Sequence, residues 1–126
     1  MNLKDRTNLL KDLCARIPYG VKCQCLGRIG TVRSIDTFGN TEVEGFSGSI
    51  VIDVSHVKPY LFSLSSMTEE QEKEYHNLCS VGTDECGDIV YFDTYESIDY
   101  LNKNKFDYRY LIPMGLANNA SGLNIY

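Results

Sequence analysis

The stretch GVKCQCLGRIGTVRSIDTFGNTEVEGFSGSIVIDVS, residues 20–55, decides the fold class. Val21, Cys23 and Cys25 alternate with Lys22 and Gln24, the period-two pattern of a strand with one buried face. A second strand is predicted from Ile29 to about Thr37. Phe38-Gly39-Asn40 then reads as a hairpin turn, because Gly and Asn tolerate positive φ, and Thr41 to Phe46 returns as the next strand. Ser47-Gly48 turns the chain again, and Ser49 to Val54 puts Ile50, Ile52 and Val54 on one face with Val51 and Asp53 opposite. Short strands joined by short turns predict an antiparallel meander of about four strands, either SH3-like or simply curled.

Upstream, Leu3, Leu10, Leu13, Cys14 and Ile17 recur at helical spacing among Lys4, Lys11, Asp12 and Arg16, predicting an amphipathic helix over about 3–16 that Pro18 and Gly20 end. Downstream, Pro59 removes a donor from Val57-Lys58-Pro59-Tyr60-Leu61-Phe62, so Tyr60, Leu61 and Phe62 are expected to leave the sheet as an apolar strap. Ser66-Met67-Thr68-Glu69 reads as a capping box opening a helix near Met67 that runs to about Cys79, with Glu69, Glu70, Glu72 and Glu74 complementing its dipole. Val81 to Gly87 is expected to be a loop and Asp88 to Phe92 a strand. A third helix is expected over about 94–104, burying Tyr95, Ile98 and Leu101. The expectation is a single α+β domain over 1–126. Its parts are a helix at 1–19, an antiparallel sheet at 20–56, a helical part with one strand at 57–117 and a loosely held tail at 118–126.

A chain of 126 residues with 43% hydrophobic and 23% charged residues can hold a core without metals or disulfides. Met1 to Ile17 is broken by Lys4, Asp5, Arg6, Lys11 and Asp12, which leaves no signal-peptide core, and no segment has the run of apolar residues that a membrane span needs. The five cysteines, an odd number, fit reduced thiols and a cytoplasmic location. The net charge of −5 is unevenly spread: residues 1–33 carry seven basic and two acidic groups, the remainder five basic and fifteen acidic.

No set of residues fixes a reaction. Cys23, Cys25, His76, Cys79 and Cys86 lack the C-x₂-C knuckles of a zinc ribbon, and Cys23 and Cys25 sit in phase with Val21 as small core residues, so no metal and no cofactor is expected. His76 and Cys79 share a helix face without an orienting third group, and Asp53 and His56 would meet only if the chain bent at Ser55. Glu42 and Glu44 share a strand face, the place of two solvated carboxylates. Leu26-Gly27-Arg28-Ile29-Gly30 lacks the Lys-Ser/Thr of a phosphate loop.

The segments Asp12-Leu13-Cys14-Ala15-Arg16-Ile17-Pro18-Tyr19-Gly20-Val21, Val57-Lys58-Pro59-Tyr60-Leu61-Phe62 running into Leu64-Ser65-Ser66-Met67-Thr68-Glu69-Glu70, and Phe106-Asp107-Tyr108-Arg109 with Leu111-Ile112-Pro113-Met114-Gly115-Leu116-Ala117 carry a resemblance. Together they resemble a family of small uncharacterised proteins of Bacteroides-type gut bacteria and their prophages. The resemblance brings no activity or ligand. It implies a cytoplasmic accessory protein carried by a phage or other mobile element.

Three functions follow, in order. The first is a non-enzymatic protein-binding module that uses Lys58, Tyr60 and Phe62, since tyrosine-rich aromatic surfaces suit interfaces. The second is nucleic-acid binding through Lys22, Arg28 and Arg33 in the basic N-terminal third. The third is a small enzyme of undetermined reaction.

Overall fold

The computed structural model describes all residues from Met1 to Tyr126. It shows a mixed α+β chain built on an open sheet. Helix α1 (Leu3–Arg16) leads through a 3₁₀ turn into strands β1 (Lys22–Cys25), β2 (Arg28–Ile35), β3 (Asn40–Glu44) and β4 (Ser49–Asp53). The four pair in sequence as an antiparallel meander, as the alternation requires. Leu26 and Gly27, at φ 51° and 74°, make a two-residue turn between β1 and β2. Between β2 and β3, the Asp36 carboxylate accepts the amides of Phe38 and Asn40, both at 2.9 Å.

Strand β5 (Lys58–Leu61) corrects the expected strap. It stays in the sheet, antiparallel to β1, with Cys23 opposite Pro59 and Gln24 opposite Lys58. Pro59 is tolerated because the short strand β8 (Asn118–Asn119) covers only Tyr60 and Leu61, so beside Pro59 a strand lies on one side alone. The sheet order is β4-β3-β2-β1-β5-β8; its outer strands do not meet, so it is no closed barrel. The expected loose tail is docked as well. Besides β8, the Ala120 amide donates to Leu61 and the Tyr126 hydroxyl donates to the Tyr60 carbonyl at 2.7 Å.

One face of this sheet meets α1. Val21, Cys23, Cys25, Val32 and Val43 pack with Leu9, Leu13, Val54, Val57, Leu61, Leu111 and Leu116 in a single core. Each fully buried leucine or valine there contributes about 1.5–3 kcal/mol of transfer free energy. The buried face of α1 is turned from the expected one: Leu9, Asp12, Leu13 and Arg16 point inward, while Leu3 and Cys14 are exposed. The charged pair displaces the apolar stripe because Asp12 and Arg16 satisfy each other one turn apart.

The remaining elements form a second layer. Helix α2 (Glu69–Leu78) starts later than expected: Thr68 caps it and Gln71 completes the capping box, while Ser66 lies in a 3₁₀ turn and donates to the Ser63 carbonyl. Strand β6 (Ser80–Thr83) takes up the first part of the expected loop at 81–87 and pairs with β7 (Ile89–Phe92) in a separate two-stranded sheet. Helix α3 (Tyr95–Lys103) is capped by Thr94 with Ser97, and buries Ser97, Leu101 and Asn102 rather than Tyr95. No helix is long and apolar enough to cross a membrane.

Candidate interaction surface

The aromatic residues expected to bind a protein do not form an open surface. Lys58 is exposed, but Tyr60 is buried beside β8 and Phe62 is half-buried, with its ring 6.3 Å from Phe106 and 5.9 Å from Tyr126. Pairing with β1 and β8 took up the residues that a strap would have displayed.

The basic residues do not converge either. Lys22 lies opposite Thr31 at one end of the β1–β2 hairpin and Arg28 at its turn end. Arg28 sits 5.8 Å over the Phe46 ring, and Arg33 is ion-paired with Glu44. Glu42 accepts from the Ser34 hydroxyl on the same sheet, so Glu42 and Glu44 accompany the cations.

Other candidate groups are occupied structurally. Cys23 and Cys25 are buried, and burial, reinforced by the neighbouring Cys25 sulfur, pushes the Cys23 thiol up to about 12. Gly30, from the glycine-containing loop, lies within β2 opposite Cys23. The chain does bend at Val54–His56, yet both Asp53 oxygens are taken by Arg6 at 2.8 Å, and one is shared with Ser55. His76 stacks on the Tyr91 ring at 3.8 Å rather than facing a nucleophile. No three His, Cys, Asp or Glu side chains gather where they could hold a metal ion. A cavity of about 470 Å³ is lined by Phe62, Lys105, Phe106 and Tyr126. Its buried lysine donates to the Lys103 carbonyl at 2.7 Å and lies 5.1 Å from the Tyr126 ring, closing the C-terminal end of α3. Burial lowers the Lys105 amine from its ordinary range.

In the hairpin β6–β7 several large apolar side chains are left uncovered within two paired strands. Cross-strand pairing puts Val81 beside Tyr91 and Thr83 beside Ile89 on one face, and Gly82 beside Val90 and Ser80 beside Phe92 on the other. Val81 is 64% exposed, Ile89 65%, Phe92 57% and the adjacent Tyr95 95%. On the second face the Phe92 ring lies over Gly82, where a β-carbon would come within 3.0 Å of it. The turn is built by Asp84, whose amide donates to the Asp88 carbonyl while its carboxylate accepts the amides of Cys86 and Asp88. Neither strand has a second neighbour. The signals in the sequence are Val81 and Thr83 at period two and Gly87 at the end of an Asp-initiated turn; they are short enough to read as a loop.

The surroundings are acidic. Between Ser80 and Asp99 there are six carboxylates, Asp84, Glu85, Asp88, Asp93, Glu96 and Asp99, and no lysine or arginine. Asp93 accepts from Tyr75 and Ser97, and Asp99 from Tyr19, so these two also fasten the hairpin and α3 to the body of the protein.

Compared with known proteins, the chain matches no family model, no curated protein and no solved structure.

Proposed function

We propose that the protein is a non-enzymatic accessory module that acts by binding another protein, in the cytoplasm and in the phage or mobile-element setting that its family resemblance implies. The observation that supports this reading is the β6–β7 hairpin. Two-stranded sheets are marginal in water unless a face is covered or a further strand is added, and this one exposes Val81, Ile89 and Tyr91 on one face and Phe92 on the other, with no strand beside either edge. Exposed apolar clusters of this kind mark interaction sites on otherwise well-packed proteins. The contact residues move accordingly, from Lys58, Tyr60 and Phe62 to the hairpin.

The test is a pull-down with nuclease-treated lysate, using the parent protein and an I89S/Y91S/F92S variant as parallel baits. A protein retained by the parent and lost by the variant is the expected result. Equal recovery by both baits would count against the hairpin. Recovery that nuclease removes would favour the basic residues Lys22, Arg28 and Arg33 and a nucleic-acid partner.

A further inference from the structure

We propose that the partner contributes an extended apolar segment flanked by lysine or arginine, which adds to the outer edge of β7 as a third strand of the hairpin sheet. The inference rests on the protein-binding reading and names the partner's chemistry and its mode of attachment.

The backbone of β7 carries the first part of the argument. Hydrogen-bonded pairs alternate with non-bonded pairs along an antiparallel ladder. Asp84 and Asp88 form a bonded pair at the turn, so Gly82–Val90 and Ser80–Phe92 are bonded and Thr83–Ile89 and Val81–Tyr91 are not. The N–H and C=O groups of Ile89 and Tyr91 therefore point away from β6, toward the side where no strand lies. Ile89-Val90-Tyr91-Phe92 is β-branched and aromatic throughout, contains neither Pro nor Gly, and has no charge to blunt its edge. The outer strand β4 differs because its sheet is already completed by the core under α1. Strand addition to such an edge gains affinity from main-chain hydrogen bonds and specificity from alternate side chains.

Charge then selects the occupant. Asp88 and Asp93 bracket β7. A second copy pairing antiparallel through the same outward groups, Ile89 opposite Tyr91, would bring its Asp88 and Asp93 to positions neighbouring Asp93 and Asp88 at the two ends of β7, so self-pairing gathers carboxylates. With Asp84, Glu85 and Glu96 nearby and no lysine or arginine between Ser80 and Asp99, the edge instead complements a cationic strand. Nucleic acid, a polyanion, is repelled by the same field.

The test uses a synthetic peptide, acetyl-Lys-Val-Thr-Val-Thr-Lys-amide, its glutamate-flanked counterpart, and a lysine-flanked peptide N-methylated at alternate residues so that it cannot bond along one edge. The first is expected to bind about tenfold or more tighter than the second. On binding it should slow amide exchange at Ile89 and Tyr91, and N-methylation should abolish the effect. The D88K/E85K variant, altered only at exposed turn positions, should remove or reverse the charge preference. Absence of binding by the lysine-flanked peptide at millimolar concentration, indifference to flanking charge, or protection at Val81 and Thr83 instead would overturn the proposal. If the pull-down partner is held through the hairpin side chains with no protection at Ile89 and Tyr91, the module reading stands and strand addition falls.

Discussion

Asp12 and Arg16 form a bidentate ion pair with no solvent exposure of either side chain, Nε to Oδ2 at 2.8 Å and Nη2 to Oδ1 at 3.0 Å. The same guanidinium donates to the Phe106 carbonyl at 2.6 Å and to the Leu101 carbonyl at 3.4 Å. It thereby joins the first helix to the end of the third. The guanidinium carbons of Arg16 and Arg109 lie 5.2 and 5.3 Å from the Tyr108 ring centre. Burial pushes the Asp12 carboxyl upward, and the Arg16 hydrogen bonds oppose it.

Replacing Arg16 with Met leaves two carbonyls without a donor and the buried Asp12 carboxylate with only Arg109, whose Nε lies 3.7 Å from Oδ1. The expected loss is about 3–5 kcal/mol, a large share of the stability of a domain this size. Urea denaturation followed by circular dichroism measures it. A loss below about 1 kcal/mol would show that the pair is dispensable.

Asp53 is held well below the usual carboxylate range, first by the Arg6 hydrogen bonds and then by Ser55. A depressed folded-state pKa stabilises the protein above the unfolded value, near 4, and that contribution fades as the pH falls below it. Arg6→Gln should therefore be less stable than the parent at pH 7, with the gap narrowing progressively below about pH 4. Arg6 also donates to the Phe38 carbonyl at 2.7 Å, so part of the gap persists in acid. Thermal melts of both proteins across pH decide it; a gap that widens in acid contradicts the assignment.

The thiols should divide into groups under a disulfide reagent. Cys14 and Cys86 are exposed and react first, half-buried Cys79 follows, and Cys23 and Cys25 react only on unfolding. Burial is the main cause of the raised values of both core thiols. Stopped-flow titration of the folded and the denatured protein counts each class. Rapid reaction of Cys23 in the folded state would mean that β1 opens readily.

Tyr126 ties the docked C-terminal segment to two strands, accepting the Lys22 amide at 2.9 Å and donating to the Tyr60 carbonyl at 2.7 Å. Tyr126→Phe should cost about 1–3 kcal/mol, because both backbone groups lose their partner. Burial raises the phenol to about 12. Its contribution is thus complete below the unfolded value near 10 and disappears as the pH rises toward 12. The parent should lose stability over that interval more steeply than the variant does; parallel curves would place the hydroxyl in water.

The meander was legible because each of its decisions is local. Val21, Cys23 and Cys25 alternate within one strand, and Asp36 builds its turn from neighbours four residues away or fewer. The face of α1 was not, since hydrophobic periodicity counts Asp12 and Arg16 as solvent residues and has no means of pairing them with the carbonyls of Leu101 and Phe106. Lys58 to Leu61 and Asn118-Asn119 were misplaced for a related reason. Their partners are distant in the chain, and register between remote strands leaves no mark on four residues of sequence. The candidate interaction surface was hidden in the same way, since Ser80 to Thr83 becomes a strand only by meeting Ile89 to Phe92 across an Asp84-anchored turn.

The order β2-β1-β5-β8 also sets the tempo of folding. Each hairpin from β1 to β4 closes over a few residues, but β5 reaches β1 only past the whole meander, and β8 reaches β5 only past α2, the β6–β7 hairpin and α3. Loop closures of that length come late and slowly. Until they occur, the rim of β1 that β5 will occupy is an unpaired strand edge in a nascent chain. During rapid synthesis that rim is the point at which neighbouring chains would associate, and slower production at lower temperature should raise the soluble yield.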